Sequence, residues 1–242
     1  ACENGWLTQD RFAEKYYSIS PYAFCSGNPI RFIDRNGDSV VVSGSQQAAA
    51  FQQMQDFLGK ELSMSMSANG TIIASQKEGV KLSRAGRKAM KAFGSATITV
   101  NIVAENTKET SSGNLYVGGA FMGNTVNADG TVTARQEVNP EVLGAMSNAY
   151  GKPGQDMMHE VTEAYQGALI SQRSGVSSPI SNQPGSVYPD AHNIAIPQSG
   201  IVKEHYYNSA GKEVQTLSPA VVRSTYTVYP RRQQPVVIMR FP

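Results

Sequence analysis

His159, His192 and His205 are the only three histidines in this chain of 242 residues, so any histidine-based chemistry must draw on them. One lies in the run Met157-Met158-His159-Glu160-Val161-Thr162-Glu163-Ala164-Tyr165. Residues four apart in a helix lie one turn above each other, so His159 and Glu163 would present two ligand atoms to one point. H-E-x-x-H uses that geometry to hold Zn²⁺, and here Glu163 replaces the second histidine, giving H-E-x-x-E. A carboxylate oxygen is an acceptable zinc ligand, and three protein ligands plus a water make a catalytic site. Glu160, beside the first ligand, is rotated off the ligand axis toward that water. There it can serve as general base while the metal lowers the water's pKa toward ~7.

The third ligand must come from elsewhere. His192, in Tyr188-Pro189-Asp190-Ala191-His192-Asn193, and His205, in Lys203-Glu204-His205-Tyr206, both qualify, and Glu204 is an alternative carboxylate. His205 and Tyr206 are also candidate donors to a developing oxyanion. A longer H-E-x-x-H-x-x-G-x-x-H pattern does not fit, because Gln166 and Leu169 stand where it needs Gly and the last His. A competing interpretation is structural. Met157, Met158, Val161, Ala164, Tyr165 and Ala168 share one helical face, and a side carrying Asp156, His159, Glu163 and Gln166 also resembles an ordinary solvated one.

The elements that must position these residues read as one α+β domain from residue 39 onward. Short strands are expected over 39–42 and 70–74, helices over 46–62 and 83–93, and an alternating half-buried strand over 97–104. Arg84, Arg87, Lys88 and Lys91 make the second helix basic, which reads as a solvated face or, more sharply, a membrane or nucleic-acid surface. Segments 115–126 and 130–137 form a hairpin across Asn127-Ala128-Asp129-Gly130. A short helix covers 140–149, and the longest helix, 155–172, carries the motif. The Ser/Pro/Gly-rich stretch 174–197 reads as a surface loop, followed by strands at 213–217, 224–229 and 236–241.

Composition removes several classes. The 21 Lys and Arg against 19 Asp and Glu give a net charge of +2, evenly spread, which does not advertise nucleic acid as the main partner. No apolar run approaches the ~18 residues of a membrane span. Cys2 and Cys25 lack the spacing of a zinc ribbon and read as free thiols or a single bridge. The glycines at 118, 119 and 123 lack a following helix, so no phosphate loop is expected. The first five residues lack a signal-peptide pattern, and without an initiator Met the chain reads as a fragment or processed product.

Residues 6–38 are rich in aromatics and turns, and the stretch from Asp10 to Gly37 carries D-R-F-A-E-K-Y, S-P-Y-A-F, N-P and D-R-N-G in order. This pattern resembles the end of an RHS repeat-associated core, with Arg11 and Arg35 where proline is usual and Phe24 where tyrosine is common. The resemblance implies a short β-rich core tail over 1–38 and a variable C-terminal effector module, often a toxin used between bacteria, over 39–242. It also implies an upstream RHS shell, a cognate immunity protein, and a secreted or cell-surface location with delivery into a target cell. Toxin-type metallopeptidases of such loci are similar to H-E-x-x-E-A-Y followed some 30 residues later by A-H, and Glu163-Ala164-Tyr165 and Ala191-His192 stand in those places.

The combined expectation is a zincin-like mixed domain with an active-site helix and a small, mostly antiparallel sheet. His159, Glu163 and His192 would hold Zn²⁺, and Glu160 would be base and proton shuttle in hydrolysing a peptide or protein substrate. An edge strand beside the helix binds substrate backbone in zincin-like enzymes, and 131–137 is the candidate. A nuclease supported by the basic helix and a non-catalytic surface module are the alternatives.

Overall fold

The computed structural model describes residues 39–216 and 218–242, so the RHS-like segment and both cysteines lie outside the described residues. The chain begins with β1 (Val40–Ser43), α1 (Gln47–Leu58), β2 (Leu62–Met66), β3 (Ile72–Gln76) and α2 (Arg84–Phe93). It continues through β4 (Ile98–Ala104), β5 (Gly119–Val126), β6 (Val132–Val138), α3 (Pro140–Ala149) and α4 (Gln155–Ser174). The last elements are α5 (Tyr188–Ile194), β7 (Val202–Tyr207), β8 (Glu213–Val214), β9 (Arg223–Val228) and β10 (Val236–Phe241). The architecture is mixed α+β, and no helix among the described residues is long and apolar enough to cross a membrane.

The sheet that carries the site has the order β1-β4-β6-β5. β1, β4 and β6 run parallel, and β5 pairs antiparallel with β6 at the edge. Two of its three pairings are therefore parallel, which corrects the mostly antiparallel sheet expected at this position. Parallel neighbours need a long crossover, and α1, the β2–β3 pair and α2 supply it between β1 and β4. The expected hairpin forms. Gly130 takes φ +79° and donates to the Asn127 carbonyl, and Asp129 Oδ1 accepts from the Thr131 amide at 2.9 Å.

Burial alternates strictly along β4, placing Ile98, Val100, Ile102 and Ala104 in the core. They meet the apolar side of α4, where Met157, Met158, Val161, Ala164 and Ala168 are all inaccessible. Each buried Ile, Val and Met among them contributes ~1.5–3 kcal/mol, which seats α4 firmly across β6 and β5. The helix starts at Gly154, whose φ of +72° and close approach to the Gln53 carbonyl exclude a side chain.

Several expected boundaries move. α1 ends at Leu58, because a turn at Gly59 frees 62–66, an alternating Leu-Ser-Met-Ser-Met run, to pair with β3. The supposed loop 174–197 contains α5. β7 was not expected and joins a second, antiparallel sheet of order β10-β9-β7-β8. The expected strand 213–217 is observed only as β8, and residue 217 lies outside the described residues.

Candidate metal centre

α4 is buried on almost every side, so the competing interpretation of an ordinary solvated face does not hold. Asp156 is 0%, His159 1% and Glu163 2% exposed. Removing ions from water costs several kcal/mol each unless close partners compensate, so each of these groups should have a partner, and each does. Asp156 Oδ1 accepts the Ser199 amide at 2.8 Å, and Oδ2 accepts the hydroxyls of Ser147 at 2.8 Å and Ser199 at 2.5 Å.

Three ligand atoms converge one turn further along. His159 Nε2 lies 3.2 Å from Glu163 Oε2 and 3.1 Å from His192 Nδ1, and His192 Nδ1 lies 2.7 Å from the same carboxylate oxygen. Zinc bonds of ~2.0–2.1 Å at tetrahedral angles hold their ligand atoms roughly 3.3 Å apart, close to the observed triangle. His159, Glu163 and His192 thus form a group that could hold a metal ion. His159 and Glu163 are buried, whereas the His192 side chain is 34% exposed, which leaves the centre one open side.

The groups behind the ligands fix their orientation. His159 Nδ1 donates to the Ile196 carbonyl at 2.6 Å, which directs Nε2 to the focal point. Gln136 Nε2 donates to Glu163 Oε1 at 3.0 Å, leaving Oε2 to the histidines. The same nitrogen donates to Glu160 Oε2 at 2.5 Å, so one amide ties the candidate base to a candidate ligand. Gln136 is fully buried on β6, in the inward register of Val132, Ala134 and Val138. A glutamine in an otherwise apolar register was the sequence signal for it.

Electrostatics differentiate the two carboxyls. Burial, then the neighbouring Glu163 charge, pushes the Glu160 pKa up to about 8. Burial acts the same way on Glu163, but hydrogen bonds from His159 and His192 outweigh it and lower its pKa. For His159, burial alone would lower the pKa, yet the Glu163 hydrogen bond and the charges of both carboxylates raise it to about 9. Tyr188, missed in the sequence, stands one turn before His192, with ring centroids 5.4 Å apart. Burial and the Glu163 and Glu160 charges raise its pKa to about 12, so its hydroxyl remains a donor.

His192 reaches the centre because α5 is pinned at its end. Lys88 Nζ, from the basic helix α2, donates to the Ile194 carbonyl at 2.5 Å and the Ala195 carbonyl at 2.9 Å. The Ile196 amide donates to Thr162 Oγ1 on α4 at 2.9 Å. Arg84, Arg87 and Lys91 remain exposed, so one of the four cations on α2 is structural rather than solvated. Gly119, at the start of β5, completes the pocket around Glu160: a Cβ there would lie 1.9 Å from Oε2.

The structure does not bring Glu204, His205 and Tyr206 to this centre. All three lie on β7 in the second sheet. His205 contacts Glu213 Oε1 at 2.7 Å and the Tyr229 hydroxyl at 2.6 Å. Glu204 accepts hydrogen bonds from Tyr206 and Tyr226. The candidate substrate strand 131–137 is also displaced: β6 is interior, paired with β4 and β5, because alternation shows which face a strand buries but not its neighbours. The edge strand beside α4 is β5. Comparison with known proteins gives no match: no family model, no curated protein and no solved structure matches the chain.

Proposed function

We propose that this chain is a zinc-dependent peptidase of zincin-like design, borne as the C-terminal effector module of an RHS-type protein. The carrying observation is the convergence of His159 Nε2, His192 Nδ1 and Glu163 Oε2 on one buried point, with the carboxyl of Glu160 alongside. Two nitrogens and one carboxylate oxygen suit zinc in number, type and spacing. Zinc bound there would acidify a water and polarise a carbonyl.

The chain's own residues supply the rest. Glu160 takes a proton at its carboxylate and returns it to the leaving nitrogen. Gln136 aims that carboxyl, and the Tyr188 ring packs beside His192. The edge of β5 favours a peptide. Ser181 donates to the Phe121 carbonyl and Ser178 exchanges hydrogen bonds with Asn124, so the chain's own strap covers the far half of that edge. By strand alternation Gly119 directs its amide and carbonyl the same way as Phe121, next to Glu160, where an extended backbone can pair.

Glu160→Gln tests the proposal. The zinc-loaded variant should keep its metal and fold while hydrolysis of a mixed peptide library falls at least a hundredfold. Hydrolysis unchanged in this variant would overturn it.

A further inference from the structure

The charge that looks even along the chain is uneven at its C-terminal end. Residues 39–200 hold 11 Lys and Arg against 12 Asp and Glu. Residues 201–242 hold Lys203, Lys212, Arg223, Arg231, Arg232 and Arg240 against Glu204 and Glu213 alone. The second sheet, β10-β9-β7-β8, gathers three of these cations on one face. Side chains alternate between faces along a strand and align across paired strands. Lys203, Thr227 and Val237 therefore share a row, as do His205, Thr225 and Arg240, and Tyr207 with Arg223. All three rows lie on the same face, because Arg223, Thr225 and Thr227 alternate along β9. The opposite face carries Val228, Met239 and Phe241 into the core, so this one looks outward.

Two cation–ring pairs stand at opposite ends of β9. The Arg223 guanidinium lies 4.9 Å from the centre of the Tyr207 ring, and Lys203 Nζ lies 5.4 Å from that of Tyr229. Arg223 and Tyr229 are six strand residues apart, a span of ~20 Å. Between the pairs Thr225 and Thr227 make a low, buried floor, and Thr225 Oγ1 has no hydrogen-bond partner. Lys203, Arg223 and Arg240 are exposed, and among the described residues none of them is in an ion pair. Glu213, the acid on this face, is held by His205 Nδ1 at 2.7 Å. Arg231 and Arg232, in the turn after Tyr229, add two more exposed cations.

We propose that this face binds single-stranded nucleic acid, with phosphates on Lys203, Arg223 and Arg240 and bases stacked on the Tyr207 and Tyr229 pairs. The proposal is independent of the metal centre and of the peptidase function proposed above. Sequence-tolerant single-strand sites combine a cationic track with aromatic platforms, and the smallest take about 4 nucleotides. Tyrosine rings and arginine guanidinium planes both stack on bases, and Tyr229 is 40% exposed. A phosphate oxygen or base edge laid across the floor would supply the partner that Thr225 Oγ1 lacks. An acidic protein would answer the cations but leave the two rings without a role. A lipid surface is bound through apolar side chains sunk below the headgroups, whereas the centre of this face is threonine.

Fluorescence anisotropy of a labelled oligo-dT of about 20 nucleotides, titrated with the full chain, tests the proposal. Wild type should bind with a Kd of about 1–100 μM, and three neutralised phosphates should weaken binding roughly twentyfold between about 50 and 200 mM salt. Arg223→Ala with Arg240→Ala should weaken binding at low salt at least tenfold and flatten the salt dependence. Tyr229→Leu, which keeps an apolar side chain, should weaken it at least fivefold and leave the salt dependence unchanged. Arg84→Ala with Arg87→Ala, which removes the same charge from α2, should leave binding unchanged. Thermal melts verify that each variant is folded, and Tyr207→Leu gives a second reading of the stacking. No binding at low salt, binding unmoved by the face variants, or an equal loss in the α2 pair overturns the proposal. Displacement of the oligonucleotide by polyglutamate or phosphatidylserine vesicles at equal charge also overturns it, and assigns the face to an acidic protein or a lipid surface.

Discussion

Gly119→Ala isolates the contact that makes room for Glu160. Gly119 is not among the positive-φ glycines, so alanine fits its backbone and the added methyl is the only change. That methyl would stand 1.9 Å from Glu160 Oε2 and 2.0 Å from Cδ, where real contacts do not fall below 3.0 Å. The carboxyl must therefore retreat by about 1 Å, and it cannot do so while keeping the 2.5 Å bond to Gln136. Losing that bond costs about 1–2 kcal/mol and crowding adds about 1–3 kcal/mol. For a chain of this size that lowers Tm by roughly 5–15 °C. A misplacement of ~1 Å in a catalytic group costs on the order of a hundredfold in rate. The assay compares zinc content, Tm and kcat on the best-cleaved library peptide for Gly119→Ala and wild type. The expected variant keeps its zinc, melts earlier and loses about a hundredfold in kcat. Wild-type kcat would refute the placement of Glu160 as base, and loss of zinc would refute its placement outside the ligand set.

The ligands and their supports give further expectations. Without metal, protonation of His159 stabilises the fold fully below 6.5 and that stability is lost as pH rises through about 9. Glu160 acts in the same direction, since its buried carboxyl resists ionisation from 4.5 up to about 8, whereas the Glu163 contribution is lost as pH falls below 4.5. In chelator, Tm should therefore peak between about pH 4.5 and 6.5 and decline toward pH 9; a rise over the alkaline half would contradict the assigned shifts. His192→Ala, at a half-exposed site, should cost under ~1.5 kcal/mol of metal-free stability but at least a hundredfold in zinc affinity, measured by chelator competition. Lys88→Met should weaken zinc about tenfold through loss of its two bonds to the end of α5, and unchanged affinity would remove α2 from the support of the centre.

The motif helix was legible because its two signals agree: apolar residues at helical spacing and a His–Glu pair one turn apart. The apolar face proved to be core, yet hydropathy could not show that the polar face is buried as well, since that depends on β5, α5 and segment 195–199 folding over it. His192 could be favoured by resemblance, but its helix was hidden among serines, prolines and glycines. α5 has seven residues, too few for a periodic pattern, and it is fixed by Lys88, 106 residues away from Ile194 in the chain. Tyr188 became visible only with that helix. β6 shows a different limit: its alternation marked the buried face, and even placed Gln136 on it, but insertion between β4 and β5 is a matter of topology. Glu204 and His205 looked equivalent to His192 by residue type. A strand that did not stand out in the sequence carries both into a separate sheet.

The metal content of the protein tests the central claim most directly, by elemental analysis after purification without chelator, zinc supplementation and washing. Wild type and His205→Ala should each hold about one zinc per chain, and His159→Ala and Glu163→Ala should hold none. No zinc in wild type, or zinc that survives loss of His159 and Glu163, would contradict the account.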